Sequence, residues 1–90
     1  MKLKAQDIVY YARIIPNVNV YEVSELRIRT ATDNWYVGVD TKDKQAIYFQ
    51  ESDIDSKIFL KRSNALTVVK NAEKNIIKEK REDINEEDNE

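Results

Sequence analysis

The stretch Leu26-Arg27-Ile28-Arg29-Thr30-Ala31-Thr32-Asp33-Asn34-Trp35-Tyr36-Val37-Gly38-Val39-Asp40 decides how this chain folds. Apolar and polar residues alternate on either side of Asp33-Asn34, the period that half-buried strands show. Asp33 and Asn34 both tolerate positive φ, so a two-residue turn there pairs Thr32 with Trp35 and opens a hairpin. That register sets Thr30 opposite Val37 and Ile28 opposite Val39. A five-residue loop, Thr41 to Gln45, then returns the chain so that Asp40 meets Ala46, Val39 meets Ile47 and Val37 meets Phe49. One face of this sheet reads Leu26, Ile28, Trp35, Val37, Val39, Ile47 and Phe49, which is a core. The other reads Arg27, Arg29, Tyr36, Gly38, Asp40, Tyr48 and Gln50, with Arg27 across from Asp40. A slip of one residue exchanges the two sets, so the whole assignment hangs on the register. Gly38 is the chain's single glycine; inside a strand it marks a bend or a place where a neighbouring aromatic lies flat over the backbone.

Upstream, Ile8 to Ile15 is β-branched and aromatic on both faces and stops at Pro16, where a ladder donor is lost. Pro16-Asn17-Val18-Asn19 supplies turn chemistry, and residues 20–32 form a long polar-apolar stretch. Its phase slips, with Tyr21 and Val23 on odd positions and Leu26, Ile28 and Thr30 on even ones. Such a slip predicts a bulge or sharp bend around Ser24-Glu25, the device that carries a strand round the corner of a small barrel. Downstream, Glu51 to Ser56 is a polar connection and Lys57-Ile58-Phe59-Leu60-Lys61 a last short strand. Ser63 is placed to cap a helix whose stripe is Ala65, Leu66, Val69, Ala72 and Ile76 and which runs to about Arg81. From Asp83 the composition is that of a disordered acidic tail. The fold expected is α+β: a small five-stranded antiparallel, partly open barrel or bent sheet followed by one C-terminal helix. Residues 1–62 form the β-rich barrel-like domain, 63–82 the helix packed on it, and 83–90 the tail.

Composition narrows the functions open to such a fold. With 90 residues there is room for one core and no second domain. Cysteine and histidine are both absent. Disulfides, thiolate catalysis, the usual zinc ligands and the commonest general base are thereby removed, and no enzymatic activity, cofactor or metal is expected. The net charge of -2 hides an asymmetry, because Asp83, Glu86, Glu87, Asp88 and Glu90 crowd the end. Without those five acids, 15 bases stand against 12 acids, a bias well short of the basic stripe that nucleic-acid binding shows. No stretch approaches the roughly 18 apolar residues of a membrane span, and Met1-Lys2-Leu3-Lys4 lacks the apolar run of a signal peptide. A cytoplasmic protein without membrane contact is expected.

A short bent meander of strands followed by a helix resembles the small barrels of the Src-homology type. Five words carry a second likeness: Asp7-Ile8-Val9-Tyr10-Tyr11, Tyr21-Glu22-Val23, Leu26-Arg27-Ile28-Arg29-Thr30, Trp35-Tyr36-Val37-Gly38-Val39, and Phe59-Leu60-Lys61-Arg62 leading into Ala65-Leu66. Spanning residues 7–73, they resemble a loose group of small accessory proteins of phages and prophages of low-GC Gram-positive bacteria. That group usually has an acidic residue just before Ala-Leu, where this chain has Asn64, and the lysine-rich helix end with its acidic tail is additional. The resemblance implies an origin in a phage-like accessory gene rather than a mechanism. It also implies the host cell's cytoplasm as the site of action.

Among candidate sites, Arg27 and Arg29 with Tyr36 and Tyr48 form the best constellation, because arginine and tyrosine bury apolar area while keeping a polar handle. The competing reading is that the helix packs on this face, or that Arg27 only pairs with Asp40. Asp53 and Asp55, near Glu51 and Asp43, lack the spacing and ligand number of a calcium loop and read as turn formers. Tyr10, Tyr11, Tyr21 and Trp35 are core in a domain this small rather than a stacking platform. The partner expected is a host protein, such as the defence factors that phage accessory proteins inhibit. Nucleic acid, and a small phosphorylated nucleotide held by Arg27 and Arg29, remain the alternatives. An open barrel also leaves strand edges that a homodimer would cover.

Overall fold

The computed structural model describes residues 3–88, with side chains described as far as residue 75. Five strands, β1 (Ile8–Ile15), β2 (Val20–Ala31), β3 (Trp35–Asp40), β4 (Ala46–Gln50) and β5 (Ile58–Phe59), precede the helix α1 (Arg62–Asp88). The sheet is antiparallel, ordered β4-β3-β2-β1-β5 and curled into a half-barrel. Short 3-10 turns over Pro16–Val18 and Glu51–Asp53 link β1 to β2 and follow β4. The α+β architecture expected from the sequence is present in this form. Among the described residues no helix is long and apolar enough to cross a membrane.

The phase slip in β2 does not come from a bulge at Ser24-Glu25, one of the two forms expected there. Pairing of β1 with β2 runs unbroken from Ile8 opposite Arg27 to Ile15 opposite Val20, so no bulge lies at Ser24-Glu25. What changes along β2 is the face that is covered. Tyr21 and Val23 pack with Ala12, Phe59, Ala65 and Val69 on the side that α1 covers. Leu26 and Ile28 point to the opposite, inner face, where they meet Val9, Tyr36, Phe49 and Ile58. Among the described residues the helix packs mainly on β1, β2 and β5, and far less on β3 and β4. Ser63, expected as the cap, lies inside the first turn, where its carbonyl accepts from the Thr67 hydroxyl at 2.9 Å. Ala65 and Val69 are buried as the stripe requires, whereas Leu66 is exposed. The helical backbone reaches Asp88, into the segment expected to be a disordered tail; Ile76 and the acidic side chains lie outside the described side chains, and residues 89–90 outside the described residues.

The bulge sits in β2 all the same, five residues further on. Thr30 faces Val37 as expected, but Ile28 faces Gly38 rather than Val39, because Arg29 is an extra residue in the ladder. A second shift occurs at the other side of β3. The Asp40 amide donates to the Gln45 carbonyl at 2.9 Å and Lys44 takes a φ of 64°, so the loop closes one residue earlier than expected. Val39 therefore meets Ala46, Gly38 meets Ile47 and Val37 meets Tyr48. From Leu26 to Ile28 the two shifts cancel, so this part of β2 keeps the relation to β4 read from the sequence while β3 is turned over; beyond the bulge Thr30 keeps Val37, which now meets Tyr48 instead of Phe49. Tyr36, Gly38 and Asp40 are buried inside, and Trp35, Val37 and Val39 lie on the outer side. The Asp33-Asn34 turn forms without positive φ at either residue. Instead the Thr32 hydroxyl donates to the Trp35 carbonyl at 2.8 Å and accepts from its amide at 3.0 Å.

Candidate functional site

Of the four residues singled out, the structure brings three to the outer side of the sheet. Arg27 and Arg29 are exposed on β2, and Tyr48 is 58% exposed on β4. Tyr36 is 0% exposed, stacked on Phe49 with ring centroids 5.3 Å apart, and is a core residue. The inversion of β3 is the physical reason. In its place Trp35 comes to the outside, 37% exposed, with its ring centroid 5.8 Å from that of Tyr48. Val37 opposite Tyr48 and Val39 between Arg27 and Ala46 complete a half-buried apolar floor.

The bulge shapes what lies beside this floor. An extra residue bends its strand and re-aims the side chains around it. Arg27 and Arg29 both line one concavity of about 520 Å³, together with Lys44, Glu25, Thr41 and Gln6. The Thr41 hydroxyl donates to the Glu25 carboxylate at 2.9 Å, and its amide to the Glu25 carbonyl at 3.0 Å, which fixes the loop wall. The Lys44 ammonium donates to the Thr41 carbonyl at 3.2 Å, so the lysine stays over the same loop. Three cations against Glu25 and Asp40 give the concavity a small positive balance.

Asp40 does not pair with Arg27, which faces Val39 across the ladder. It is buried, and one oxygen accepts from the Lys42 amide at 2.7 Å and the Asp43 amide at 3.3 Å. The carboxylate thus ties the turn that carries Lys44. Other acids do comparable work: Asp43 accepts from the Gln45 amide at 3.0 Å and Asp53 from the Gln50 amide at 3.0 Å. Asp55 sits at a φ of 71° in the turn before β5. On the far side of Glu25 and Asp40 a smaller hollow of about 210 Å³ includes Arg13, Glu22 and Arg62, with Arg13 and Glu22 paired at 3.7 Å.

Sequence reasoning missed Lys44, Thr41 and Trp35. The first two have no periodic signal because they lie in a loop whose closure depends on Asp40. Trp35 was hidden by the register of β3. Compared with protein-family models, curated proteins and solved structures, the chain matches none.

Proposed function

We propose that this chain is a non-enzymatic, phage-type accessory protein that works in the host cytoplasm by binding and modulating a host protein, such as a defence factor. The observation that carries the reading is the outer face, where Trp35 and Tyr48 stand exposed as an aromatic pair beside Arg27 and Arg29. Tryptophan, tyrosine and arginine are the residues that most often dominate binding energy at protein interfaces. A half-buried floor of Val37 and Val39 supplies the apolar centre that such an interface needs, and the arginines a polar rim. The phage origin and the inhibitory role rest on the sequence resemblance. The test is capture from host lysate on immobilised protein, run in parallel with Tyr48→Ala and Arg29→Ala. A specific host protein retained by the wild type and depleted on both variants is expected. Equal retention by all three would sink the reading.

A second reading is favoured by the concavity itself. A space of about 520 Å³ rimmed by Arg27, Arg29 and Lys44 suits a small phosphorylated nucleotide, since pockets for small ligands span roughly 300–1,000 Å³. Arginine holds phosphate in a bidentate fashion. Titration with nucleoside phosphates separates the two readings: saturable binding lost in Arg27→Ala favours the nucleotide, and no binding at millimolar ligand removes it.

A further inference from the structure

β4 is an edge strand, bordered at Ile47, Tyr48 and Phe49 by a small hollow that Tyr11, Asp53, Lys57 and Ile58 also line. The sheet order leaves β4 and β5 at the two edges. β5 has only two residues and is flanked by the bridge between Ile54 and Ile58. β4 has five, in a ladder with β3 that contains no irregularity. The bonds from the Asp40 amide to the Gln45 carbonyl and from the Glu51 amide to the Asn34 carbonyl, 2.9 and 3.0 Å, fix the alternation. Residues 45, 47, 49 and 51 bond inward to β3, so the backbone groups of Ala46, Tyr48 and Gln50 point outward. The Gln50 amide is taken by the Asp53 carboxylate at 3.0 Å. The amides and carbonyls of Ala46 and Tyr48 have no partner among the described residues.

Natural edge strands are normally guarded by a lysine, a proline, a bulge or a covering segment. From Ala46 to Gln50 there is no charge, no proline and no bulge. We propose that this edge is a self-association surface, on which β4 pairs antiparallel with β4 of a second copy about a two-fold axis at Ile47. That register sets Ala46 opposite the other copy's Tyr48 and satisfies all four free backbone groups. Centring the axis on Tyr48 instead would call on the Gln50 amide, which Asp53 already holds. On the outer side the small Ala46 lies beneath the large ring of the opposing Tyr48. On the inner side the two Ile47 side chains meet and join the two cores.

The charges around β4 argue for a second copy rather than a foreign strand. The loop before it carries Lys42 and Lys44, with Asp43 turned back onto the Gln45 amide. The segment after it carries Glu51, Asp53 and Asp55. Antiparallel pairing of two identical strands brings the start of each beside the end of the other, so both ends juxtapose lysines with acids. A single edge buries less than the roughly 1,200–2,000 Å² of a stable interface, which makes the association concentration-dependent.

The experiment is sedimentation of the full chain over a wide concentration range, with two variants. Ala46→Pro removes one outward amide at the first residue of the strand, where proline is tolerated. Ile47→Cys introduces the only thiol in a chain that has none. Wild-type mass should rise from 10.6 kDa toward twice that value, with the midpoint in Ala46→Pro displaced by about tenfold or more. Mild oxidation should link Ile47→Cys into a dimer, because facing residues in a non-hydrogen-bonded pair lie about 4.5 Å apart, within disulfide reach. A wild type that stays monomeric at millimolar concentration overturns the proposal, as does a dimer whose midpoint folded Ala46→Pro leaves unchanged. Should Ala46→Pro fail to fold, the thiol decides: no disulfide-linked dimer of Ile47→Cys overturns it.

Discussion

Gly38 lies so close beneath Leu26 that a Cβ on the glycine would sit 3.1 Å from the Leu26 Cβ and 3.2 Å from its Cδ1. β2 and β3 thus pack closely at the glycine on the inner face, and a leucine rather than an aromatic lies over it. Overpacking of this kind costs about 1–3 kcal/mol, more than the roughly 0.4–1 kcal/mol recovered from a stiffer unfolded chain. Gly38→Ala should lose about 1–2 kcal/mol in urea unfolding. In a Leu26→Ala background the loss should shrink but persist, because the nearer contact is with the Cβ that alanine retains. Equal losses in both backgrounds would show that the Leu26 Cδ1 adds nothing to the clash.

The two tyrosines once grouped together should behave as opposites. Tyr48→Ala should leave the fold intact and weaken partner binding by about 1–2 kcal/mol or more, as a hot-spot truncation does. Tyr36→Ala should instead destabilise the domain by about 3–5 kcal/mol, comparably to Phe49→Ala. The Tyr36 hydroxyl is buried with no hydrogen-bond partner among the described residues. Tyr36→Phe should therefore be neutral or stabilising, since an unsatisfied buried hydroxyl is a penalty of about 1–3 kcal/mol. Thermal unfolding of the four variants checks the ranking.

Asp40 should prove structural through its loop. Asp40→Ala leaves the Lys42 and Asp43 amides without their acceptor, an expected loss of about 1–3 kcal/mol. Asp40→Asn keeps an acceptor oxygen and should recover most of it. Amide exchange at Lys42 should rise sharply in the first variant and little in the second. No change at Lys42 in Asp40→Ala would rule out this role.

Trp35 offers a direct view of the outer face, being the chain's single tryptophan. A partner that covers the Trp35–Tyr48 pair should shift its emission to shorter wavelength and protect it from a soluble quencher. Binding that leaves both unchanged would place the contact elsewhere.

Much of the fold is legible in the sequence, and what is not has a physical reason. The turn at Asp33-Asn34, the pairing of Thr30 with Val37 and the shared face of Leu26, Ile28, Ile47 and Phe49 all follow from alternation. Arg29 does not, because an extra residue between Ile28 and Thr30 leaves the polar-apolar rhythm untouched and shows only in the partner strand. The slip at Ser24-Glu25 was visible, but a slip also arises when the covered face changes, and periodicity cannot tell the two apart. For the site, Arg27, Arg29 and Tyr48 were legible as exposed residue types on one side. Trp35 and Tyr36 exchanged places because their burial depends on β3, the strand framed by both irregularities.

The bulge has a bearing on descent. Thr30 faces Val37 and Ile28 faces Gly38, so a relative lacking the residue at Arg29 keeps every pairing of β2 with β3 and simply straightens the ladder. A lineage is thus free to gain or lose one codon in the middle of a strand, where insertions are ordinarily purged, and the trace it leaves is a cation missing from the concavity rather than a broken core. Any alignment that confines its gaps to loops will set half of β2 one residue out of step with such a relative and mistake homologous positions for substitutions.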